Sequence, residues 1–491
     1  MADATINDLL GEVERLKDEV RADAAEIAAG WEGWIERESF APSAANFAAY
    51  LALRRRDLRP LQRRLTAQGL SSLGRAEARV LETLQAVHAA LSVLAGRTPA
   101  PPKTSPDFFA GEARLADHAE ALLGPSDARR STRLLVTVPS EAADDPGFML
   151  RLAKLGVEGV RINCAHDDAE SWGRMIDAVD AAAARTGQRM KVLMDLAGPK
   201  IRTGEIRAPR GGKRIRSGDR FAITGPGLLW APGSKLRAVE CTLPEALIAA
   251  QAGEPIFFDD GKLETVVVST EGWGVTVEAR SVSDEEGYKL KSEKGINFPM
   301  TDFAVEALTE KDVDDLVFVA HRADVVGFSF VQGPEDVVQL QAALARERPQ
   351  DWQALGLILK IETVRAVRNL PDMLVRAAGR QPTGLMIARG DLAVEIGFTR
   401  LAEMQEELLW IGEACQTPVI WATQVLESYV KTGAPSRGEM TDAAMAARAE
   451  CVMLNKGPYL FEALGELDLL LARMGEHVHK KTSQLRRLKT W

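Results

Sequence analysis

The sequence predicts an α/β protein built on a (β/α)8 TIM barrel, with a small inserted β-barrel domain acting as a lid and an N-terminal α-helical extension. Three observations support this prediction. From residue 133 onward there are eight short aliphatic runs, most of them separated by amphipathic helical stretches. After the third run come about a hundred residues in which apolar and polar side chains alternate as in β-strands. The first hundred residues have the apolar periodicity of helices. Eight strand–helix units in succession are typical of this barrel, whose functional residues lie at the carboxyl ends of the strands.

The extension is predicted to cover residues 1–128. One apolar helix face is formed by residues that recur at steps of three and four: Ile6, Leu9, Val13, Leu16 and Val20. A later helical segment ends at Gly124, which is followed by Pro125, as helices often end. Because an apolar helix face needs a partner surface, we expect the extension to pack on itself, on the barrel or on a second subunit.

The eight predicted strands are short and apolar, as expected for a parallel sheet that is buried on both faces. They cover residues 133–138, 159–163, 190–195, 324–330, 356–362, 383–389, 417–422 and 450–455. The barrel is predicted over residues 129–204 and 297–475, and Thr309 with Asp312 forms a capping-box pattern where the barrel resumes. Residues 205–296 are predicted to form the lid, which could close over the barrel mouth and exclude water. Residues 476–491 are predicted to form an exposed basic tail.

The composition excludes several classes of function. The 491-residue chain has 27% charged residues and a net charge of -9, which argues against a general nucleic-acid-binding protein. Its four cysteines show no metal-ligand spacing, so neither a zinc site nor a disulfide framework is predicted. The N-terminus is charged where a signal peptide would be apolar, and no apolar run approaches the length of a membrane span. We therefore expect a cytoplasmic protein with neither nucleic-acid nor membrane partners.

Charged and polar residues collect at the carboxyl ends of the predicted strands. They are Arg161, Asn163, Asp195, Lys360, Glu362, Asp391, Thr423 and Lys456. Lys360 and Glu362 are two residues apart and point to the same side of a strand, while Asp391 follows Gly390, where a ligand can approach the backbone. Two carboxylates and an ammonium at one point suit a divalent cation that bridges a phosphoryl group. For the Lys360–Glu362 pair alone, or for the stretch around Asp391 alone, the alternative to a metal site is a structural salt bridge.

Several stretches of the chain occur in one order at these strand ends. They include GVRINCAHD (159–167), MDLAGPKIRTG (194–204), LKIE (359–362), MIARGDLAVEI (386–396) and IWATQVLESYVKTGAPSRGEMTD (420–442). From about residue 133 to residue 464 the chain thereby resembles the pyruvate kinase family. The resemblance implies a glycolytic phosphotransferase that moves the phosphoryl group of phosphoenolpyruvate to ADP, giving pyruvate and ATP, with Mg²⁺ or Mn²⁺ as the cofactor.

The resemblance also implies roles for individual residues. Glu362 and Asp391 would bind the metal, Lys360 and Arg161 would neutralise the phosphoryl group, and Thr423 would lie near the enolate carbon that is protonated. The implied catalytic residues are Lys360, Thr423 and Arg161. The implied substrate-binding residues are Arg161, Arg389, Gly390, Asp391 and Thr423, with the backbone of the middle three holding the carboxylate. The implied nucleotide-binding residues are His166, Arg202 and Lys294.

One departure from the family concerns a monovalent cation. Family members commonly hold K⁺ with an Asn, a Ser, an Asp and a Thr, of which this chain keeps Asn163 and Asp195 and replaces the others with Ala165 and Leu196. Lys200 stands where potassium-dependent members have Glu. The resemblance therefore implies a vestigial monovalent-cation site at Asn163, Asp195 and Lys200, in which the ammonium replaces the cation, and no requirement for K⁺.

Two further departures leave alternatives open. After the last strand, residues 455–458 (Asn-Lys-Gly-Pro) replace a Ser-Gly-Glu-Thr-Ala loop of the family, so Lys456 would either contact a phosphate or pair with a nearby carboxylate. Typical members continue into a C-terminal α/β effector domain, whereas here we expect no allostery of that type and a homo-oligomer assembled through the N-terminal helices. The alternatives for function are another metal-dependent enzyme of phosphoenolpyruvate or pyruvate enolate chemistry on the same barrel, and a catalytically weakened regulatory homologue.

Overall fold

The computed structural model describes residues 5–99, 101, 103–208, 214–233, 235–303 and 305–484. At its centre is a closed barrel of eight parallel strands. They are Arg133–Thr137, Gly159–Asn163, Lys191–Asp195, Val325–Phe328, Gly356–Ile361, Thr383–Ala388, Val419–Ala422 and Cys451–Leu454. The first strand pairs with both the second and the eighth, which closes the sheet. Each strand coincides with a predicted one, so the prediction of a (β/α)8 barrel is confirmed.

Apolar side chains fill the barrel interior, which makes it a packed core rather than a channel. The interior cluster contains Leu135, Leu193, Val325, Ile358, Met386, Ile420 and Met453, which come from seven of the strands. Leu122 and Leu123, at the end of the extension helix Ala110–Leu123, belong to the same cluster. The extension therefore closes one end of the barrel, and charged residues are left to the other end.

Helices surround the barrel. They are Pro146–Lys154, Ala169–Thr186, Glu310–Arg322, Pro334–Glu347, Val364–Ala378, Arg389–Ile396, Phe398–Cys415, Glu427–Thr432, Arg437–Ala446 and Leu460–Gly475. The predicted capping box is confirmed at the start of Glu310–Arg322. There the Asp312 amide donates to Thr309 Oγ1 (3.1 Å) and the Thr309 amide donates to the Asp312 carboxylate (3.0 Å). This cap fixes the point at which the chain returns to the barrel.

The extension is helical, as predicted. Its helices are Ile6–Ala29, Ala41–Arg54, Arg59–Ala67, Val80–Leu94, Ser105–Phe108 and Ala110–Leu123. Leu9, Val13, Leu16 and Val20 of the predicted apolar face are buried and Ile6 is half-buried, while Leu10 and Ala24 widen the buried face. The extension shares one continuous hydrophobic core with the barrel. Trp31 stacks on Phe47 within the extension and donates a hydrogen bond to Asp372 of the barrel (2.8 Å). The extension thus packs both on itself and on the barrel.

Gln416 is a buried junction between the extension and the barrel. Its amide oxygen accepts hydrogen bonds from Ser43 Oγ (2.6 Å) and Arg114 Nε (2.8 Å), and its amide nitrogen donates to the Ala78 carbonyl (3.1 Å). Its own carbonyl lies 2.7 Å from His118 Nδ1. Three segments of the extension therefore meet one residue of the barrel.

The inserted residues form a seven-stranded sheet with its own hydrophobic cluster. In spatial order its strands are Ile296–Asn297, Pro255–Phe258, Leu263–Glu271, Gly274–Val282, Arg220–Thr224, Ala238–Cys241 and Thr203–Arg207. The two crossings to the barrel are hydrogen-bonded to each other: the Thr203 amide donates to the Lys294 carbonyl (2.8 Å) and the Ile296 amide donates to the Ile201 carbonyl (2.9 Å). We call these crossings, residues 199–203 and 293–297, the neck.

The C-terminal segment differs from the exposed tail that we expected. Val478–His479 pairs with Thr482–Ser483 in a short hairpin. The Lys480 ammonium contacts Glu450 and donates to the Arg448 carbonyl (3.1 Å), and the Lys481 ammonium contacts Glu77 of the extension. Ion pairs with buried carboxylates therefore hold this segment against the protein, while residues 485–491 of the predicted tail lie outside the described residues.

Two expectations from composition concern the cysteines and the membrane. All four cysteines are free and buried, at positions 164, 241, 415 and 451. Within the described part of the chain, each helix is too short or too polar to cross a bilayer.

Candidate active site

The Lys360 ammonium lies at the centre of the candidate site, at the carboxyl end of the fifth barrel strand. Its Nζ is 3.1 Å from Asp195 Oδ2, 3.1 Å from Glu362 Oε1 and 2.7 Å from Ser329 Oγ. Burial alone would lower the pKa of Lys360, but the negative charges of Asp195 and Glu362 outweigh it and raise the pKa. The ammonium is therefore a permanent positive charge in a nearly closed environment.

Asp195 places a second cation beside Lys360. Arg161 Nε donates to Asp195 Oδ2 (2.9 Å), and Arg161 Nη2 contacts the same oxygen. Burial would raise the pKa of Asp195, but the charges of Arg161 and Lys360 lower it, so the carboxylate stays ionised. Its other oxygen has no hydrogen-bond partner among the described residues and lies against Gly327, where an added Cβ would be 2.2 Å from it. The structure thus brings together two of the predicted charges, Arg161 and Lys360, on one carboxylate.

Glu362 is held by the end of the fourth barrel strand. The Phe330 amide donates to Glu362 Oε2 (2.6 Å), and Phe330 adopts a left-handed backbone with φ of 55°. Burial raises the pKa of Glu362; Lys360 opposes the rise, and the charge of Asp391 adds to it. Glu362 and Asp391 are therefore close enough for their charges to repel each other, and a bound cation would relieve that repulsion.

The helix Arg389–Ile396 begins at the mouth of the barrel. The Gly390 amide donates to Thr423 Oγ1 (2.9 Å), which joins the ends of the sixth and seventh strands. The Arg389 side chain is buried: its Nε donates to the Ala422 carbonyl (2.9 Å), its Nη2 to the Thr423 carbonyl (2.6 Å) and its Nη1 to Asp442. Arg389 thus uses its guanidinium to fix the strand ends, and its backbone remains at the mouth.

Lys200, one of the three residues predicted for the vestigial monovalent-cation site, is paired with a carboxylate outside that set. Asn163 and Asp195 are register partners on the second and third strands, and Asn163 Oδ1 accepts a hydrogen bond from the Ala165 amide (3.1 Å). The Lys200 ammonium instead lies 2.7 Å from Asp391 Oδ1. The structure therefore pairs Lys200 with a predicted metal ligand.

A cavity of about 340 Å³ beside the barrel mouth contains one of the predicted nucleotide-binding residues. His166 lines it together with Arg161, Asn163 and Lys456. Burial lowers the pKa of His166, and the nearby charges of Lys456 and Arg202 lower it further. The imidazole is therefore neutral at neutral pH and lies among cations, an environment that favours a polyphosphate.

The other two predicted nucleotide-binding residues lie on the neck. Arg202 Nη1 donates to the Glu293 carbonyl (3.2 Å). Lys294 Nζ lies 3.0 Å from Asp259 Oδ1 in the inserted domain. Arg202 is near enough for its charge to lower the pKa of His166, whereas the Lys294 ammonium is paired with Asp259.

Comparison with known proteins identifies the family of the barrel. Residues 129–463 match the family model described as the pyruvate kinase barrel domain. The chain belongs to the pyruvate kinase family. The match includes every strand of the barrel and each residue described above in the candidate site.

Curated pyruvate kinases resemble the chain at about 30% identity. Pyruvate kinase 2 of Synechocystis sp. is 29% identical over 362 residues, which cover 72% of this chain and 57% of that protein. Pyruvate kinase of Geobacillus stearothermophilus is 30% identical over 354 residues, covering 70% and 57%. Pyruvate kinase of Methylorubrum extorquens is 31% identical over 359 residues, covering 72% and 69%. The chain thus spans little more than half the length of the first two relatives.

The carboxylate pair of this pyruvate kinase family member fits a divalent metal. Among the described residues no group of three or more His, Cys, Asp or Glu side chains is arranged to hold an ion, so Glu362 and Asp391 would act as a pair. Mg²⁺ commonly binds through one or two carboxylates and leaves its other positions to water and substrate phosphates. The Lys200 ammonium on Asp391 shows that this carboxylate attracts a cation. The carboxylate oxygens of Glu362 and Asp391, and the repulsion between their charges, both favour binding of Mg²⁺ or Mn²⁺.

Sequence reasoning missed two contributors from the fourth strand. Ser329 accepts a hydrogen bond from Lys360, and the Phe330 amide binds Glu362. The predicted strand 324–330 ends without a charged residue, so no charge at its end indicated a functional position. The available signal was the stretch FSFVQGPEDV (328–337), which resembles the pyruvate kinase family and begins at this strand end.

Proposed function

We propose that the protein is a phosphotransferase of the pyruvate kinase type, which moves the phosphoryl group of phosphoenolpyruvate to ADP and forms pyruvate and ATP. One observation carries the proposal: Lys360 Nζ lies 3.1 Å from both Asp195 and Glu362, and Arg161 binds the same Asp195 oxygen. Two fixed cations beside a pair of carboxylates provide the electrostatic environment that phosphoryl transfer needs. The contacts give no specific support to a weakened regulatory homologue or to another enolate enzyme.

In this proposal the cations bind the group that is transferred. Lys360 and Arg161 bind phosphoryl oxygens and neutralise the charge that spreads over them, without having to reorient during the reaction, because Asp195 already fixes both. Glu362 and Asp391 hold Mg²⁺ or Mn²⁺, which supplies further neutralisation of the phosphate and enolate oxygens when bound.

The mouth of the barrel orients the rest of the substrate. Backbone amides at the start of helix Arg389–Ile396, beside the Gly390 amide that already donates to Thr423, bind the substrate carboxylate, as helix starts bind anions. Thr423 Oγ1 already accepts the Gly390 amide, so its O–H can donate a hydrogen bond to a water that passes a solvent proton to the enolate carbon. The same contact keeps the Thr423 hydroxyl at a constant distance from the carboxylate site.

The nucleotide would bind between the barrel and the inserted domain. His166 lines the cavity at the mouth, while Arg202 and Lys294 are carried by the neck. Closure of the inserted domain would bring the two neck cations towards the nucleotide phosphates and exclude water. We also propose that turnover needs no K⁺, that the protein is cytoplasmic and that it forms a homo-oligomer.

A Lys360→Met variant tests the proposal. Pyruvate formation from phosphoenolpyruvate is measured with and without ADP, and we expect kcat to fall by about 10³-fold because a fixed charge at the transferred group is lost. Lys154→Met, which removes an exposed lysine at the end of a barrel helix, should keep the wild-type rate. A Lys360→Met enzyme that retained its rate would refute the role of Lys360, and pyruvate release without ADP would refute the kinase reaction.

A further inference from the structure

We propose that Lys200 competes with the divalent metal for Asp391, so that metal binding displaces the ammonium and releases the neck of the inserted domain from the barrel. The inference rests on the proposed role of Asp391 as a metal ligand. It assigns to Lys200 a role at the divalent site, because its ammonium lies on Asp391.

The contact between Lys200 and Asp391 is short and partly buried. Lys200 Nζ lies 2.7 Å from Asp391 Oδ1, with 28% of the lysine side chain and 19% of the aspartate side chain exposed. Mg²⁺ would lie about 2.1 Å from a carboxylate oxygen, which would put two cations a few ångströms apart on one group. At that separation the repulsion is large in a partly buried environment, so ammonium and metal exclude each other.

The surroundings of Lys200 hold its ammonium at this position. The aliphatic part of the side chain runs beside Gly295, where an added Cβ would be 3.3 Å from Lys200 Cε. The ammonium also lies 6.0 Å from the centre of the Phe330 ring. Because the Phe330 amide binds Glu362, Lys200 contacts one proposed metal ligand directly and the residue that supports the other.

Lys200 belongs to the neck, and this connects the metal site to the inserted domain. The hydrogen bonds between the Ile201 carbonyl and the Ile296 amide, and between the Thr203 amide and the Lys294 carbonyl, make the two crossings move together. The neck has a second contact with the same barrel helix, from Asn297 Nδ2 to Glu395 Oε1 (3.2 Å), which does not involve the metal. Loss of the Lys200 contact would therefore loosen the neck without detaching it.

Mn²⁺ affinity without substrates tests the competition. Free Mn²⁺ is measured by electron paramagnetic resonance for the wild type, Lys200→Met and Lys200→Gln, after thermal unfolding has shown that all are folded. We expect both variants to bind Mn²⁺ at least about tenfold more tightly, because no ion pair has to be broken. Lys262→Met, which removes a Lys–Asp contact of 3.2 Å within the inserted domain, should bind like the wild type.

The outcomes separate this inference from the proposed function. Equal or weaker Mn²⁺ binding by both Lys200 variants would refute the competition and leave the metal site in place. Failure of every protein to bind Mn²⁺ would refute the metal site itself, and the competition with it.

Hydrogen–deuterium exchange tests the connection to the neck. Metal binding and release of the neck are linked in both directions: if release of Lys200 favours Mn²⁺ binding, Mn²⁺ binding favours release. Mn²⁺ should therefore speed the exchange of neck amides in the wild type. In Lys200→Met the same amides should exchange fast without metal and change little when Mn²⁺ is added. Slower exchange of the wild-type neck in Mn²⁺ would refute release.

Discussion

Ser329 Oγ lies 2.7 Å from Lys360 Nζ and donates its own hydrogen bond to the Leu196 carbonyl (2.6 Å). The hydroxyl is buried, so both partners are fixed. Because the following amide, that of Phe330, binds Glu362 Oε2, two consecutive residues orient both the proposed phosphoryl-binding cation and a proposed metal ligand. The uncharged end of the fourth strand therefore organises charges that belong to the fifth.

The first prediction concerns Ser329 as a positioning residue. Ser329→Ala removes one of the three acceptors of the Lys360 ammonium and leaves Asp195 and Glu362, so the ammonium stays charged but moves. We expect kcat to fall about 10- to 100-fold with little change in the KM for phosphoenolpyruvate, as measured by steady-state kinetics. Ser329→Thr, which keeps the hydroxyl, should recover part of the rate.

Ser217→Ala is the matched control, because it removes a serine hydrogen bond to a carbonyl (3.0 Å) on the inserted domain. It should leave kcat unchanged. A Ser329→Ala enzyme with wild-type kcat, or with a rise in KM alone, would contradict a positioning role for the hydroxyl.

The second prediction is that K⁺ does not activate the enzyme. Asp195 Oδ2 already accepts contacts from both Arg161 and Lys360, and Asn163 Oδ1 accepts one from the Ala165 amide. At Ala165 and Leu196 the chain also lacks the other two side chains with which the family commonly holds K⁺. Replacing K⁺ with tetramethylammonium at constant ionic strength should leave kcat unchanged in a pyruvate-formation assay. Many-fold activation by K⁺ would contradict the prediction.

The barrel and the charges at its mouth could be predicted from the sequence because both depend on short-range patterns. Each strand is a short, largely apolar run, and Lys360 and Glu362 share a face through their spacing alone. The partner of Lys200 could not be predicted, because Asp391 is 191 residues away and the path of the neck decides the contact. Gln416 was missed for the same reason, since its side-chain partners are 302 to 373 residues distant.

The third prediction concerns the junction between the extension and the barrel. Gln416→Ala leaves the buried Ser43 hydroxyl and the Arg114 guanidinium without their shared acceptor. We expect a loss of stability of about 2 kcal/mol or more and faster cleavage within the extension during limited proteolysis. Gln188→Ala, at an exposed position after a barrel helix, should behave like the wild type. An unchanged cleavage rate in Gln416→Ala would show that the junction does not hold the extension in place.

Glu413 gives the same region a dependence on pH. It lies near Glu77 of the extension, near Glu450, and near Lys480 and Lys481 of the C-terminal hairpin. Burial raises the pKa of Glu413 to about 7; the two lysines oppose the rise, and the two glutamates add to it. An ionisable group that changes charge near neutral pH therefore lies where the extension, the barrel and the hairpin meet.

The fourth prediction follows from the sign of that shift. Because the pKa of Glu413 in the native state lies above its ordinary value of 4.5, the native state keeps the proton to higher pH than the unfolded state. Its contribution to stability is complete below pH 4.5 and is lost as the pH rises through about 7.

The Glu413→Gln variant cannot ionise at this position, so its thermal unfolding midpoint should exceed that of the wild type at about pH 8. The excess should be equivalent to at most about 3 kcal/mol, and it should shrink at about pH 5. Glu264→Gln, at an exposed position of the inserted domain, should follow the wild type. A difference between Glu413→Gln and the wild type that did not vary with pH would show that Glu413 titrates as an ordinary surface carboxyl.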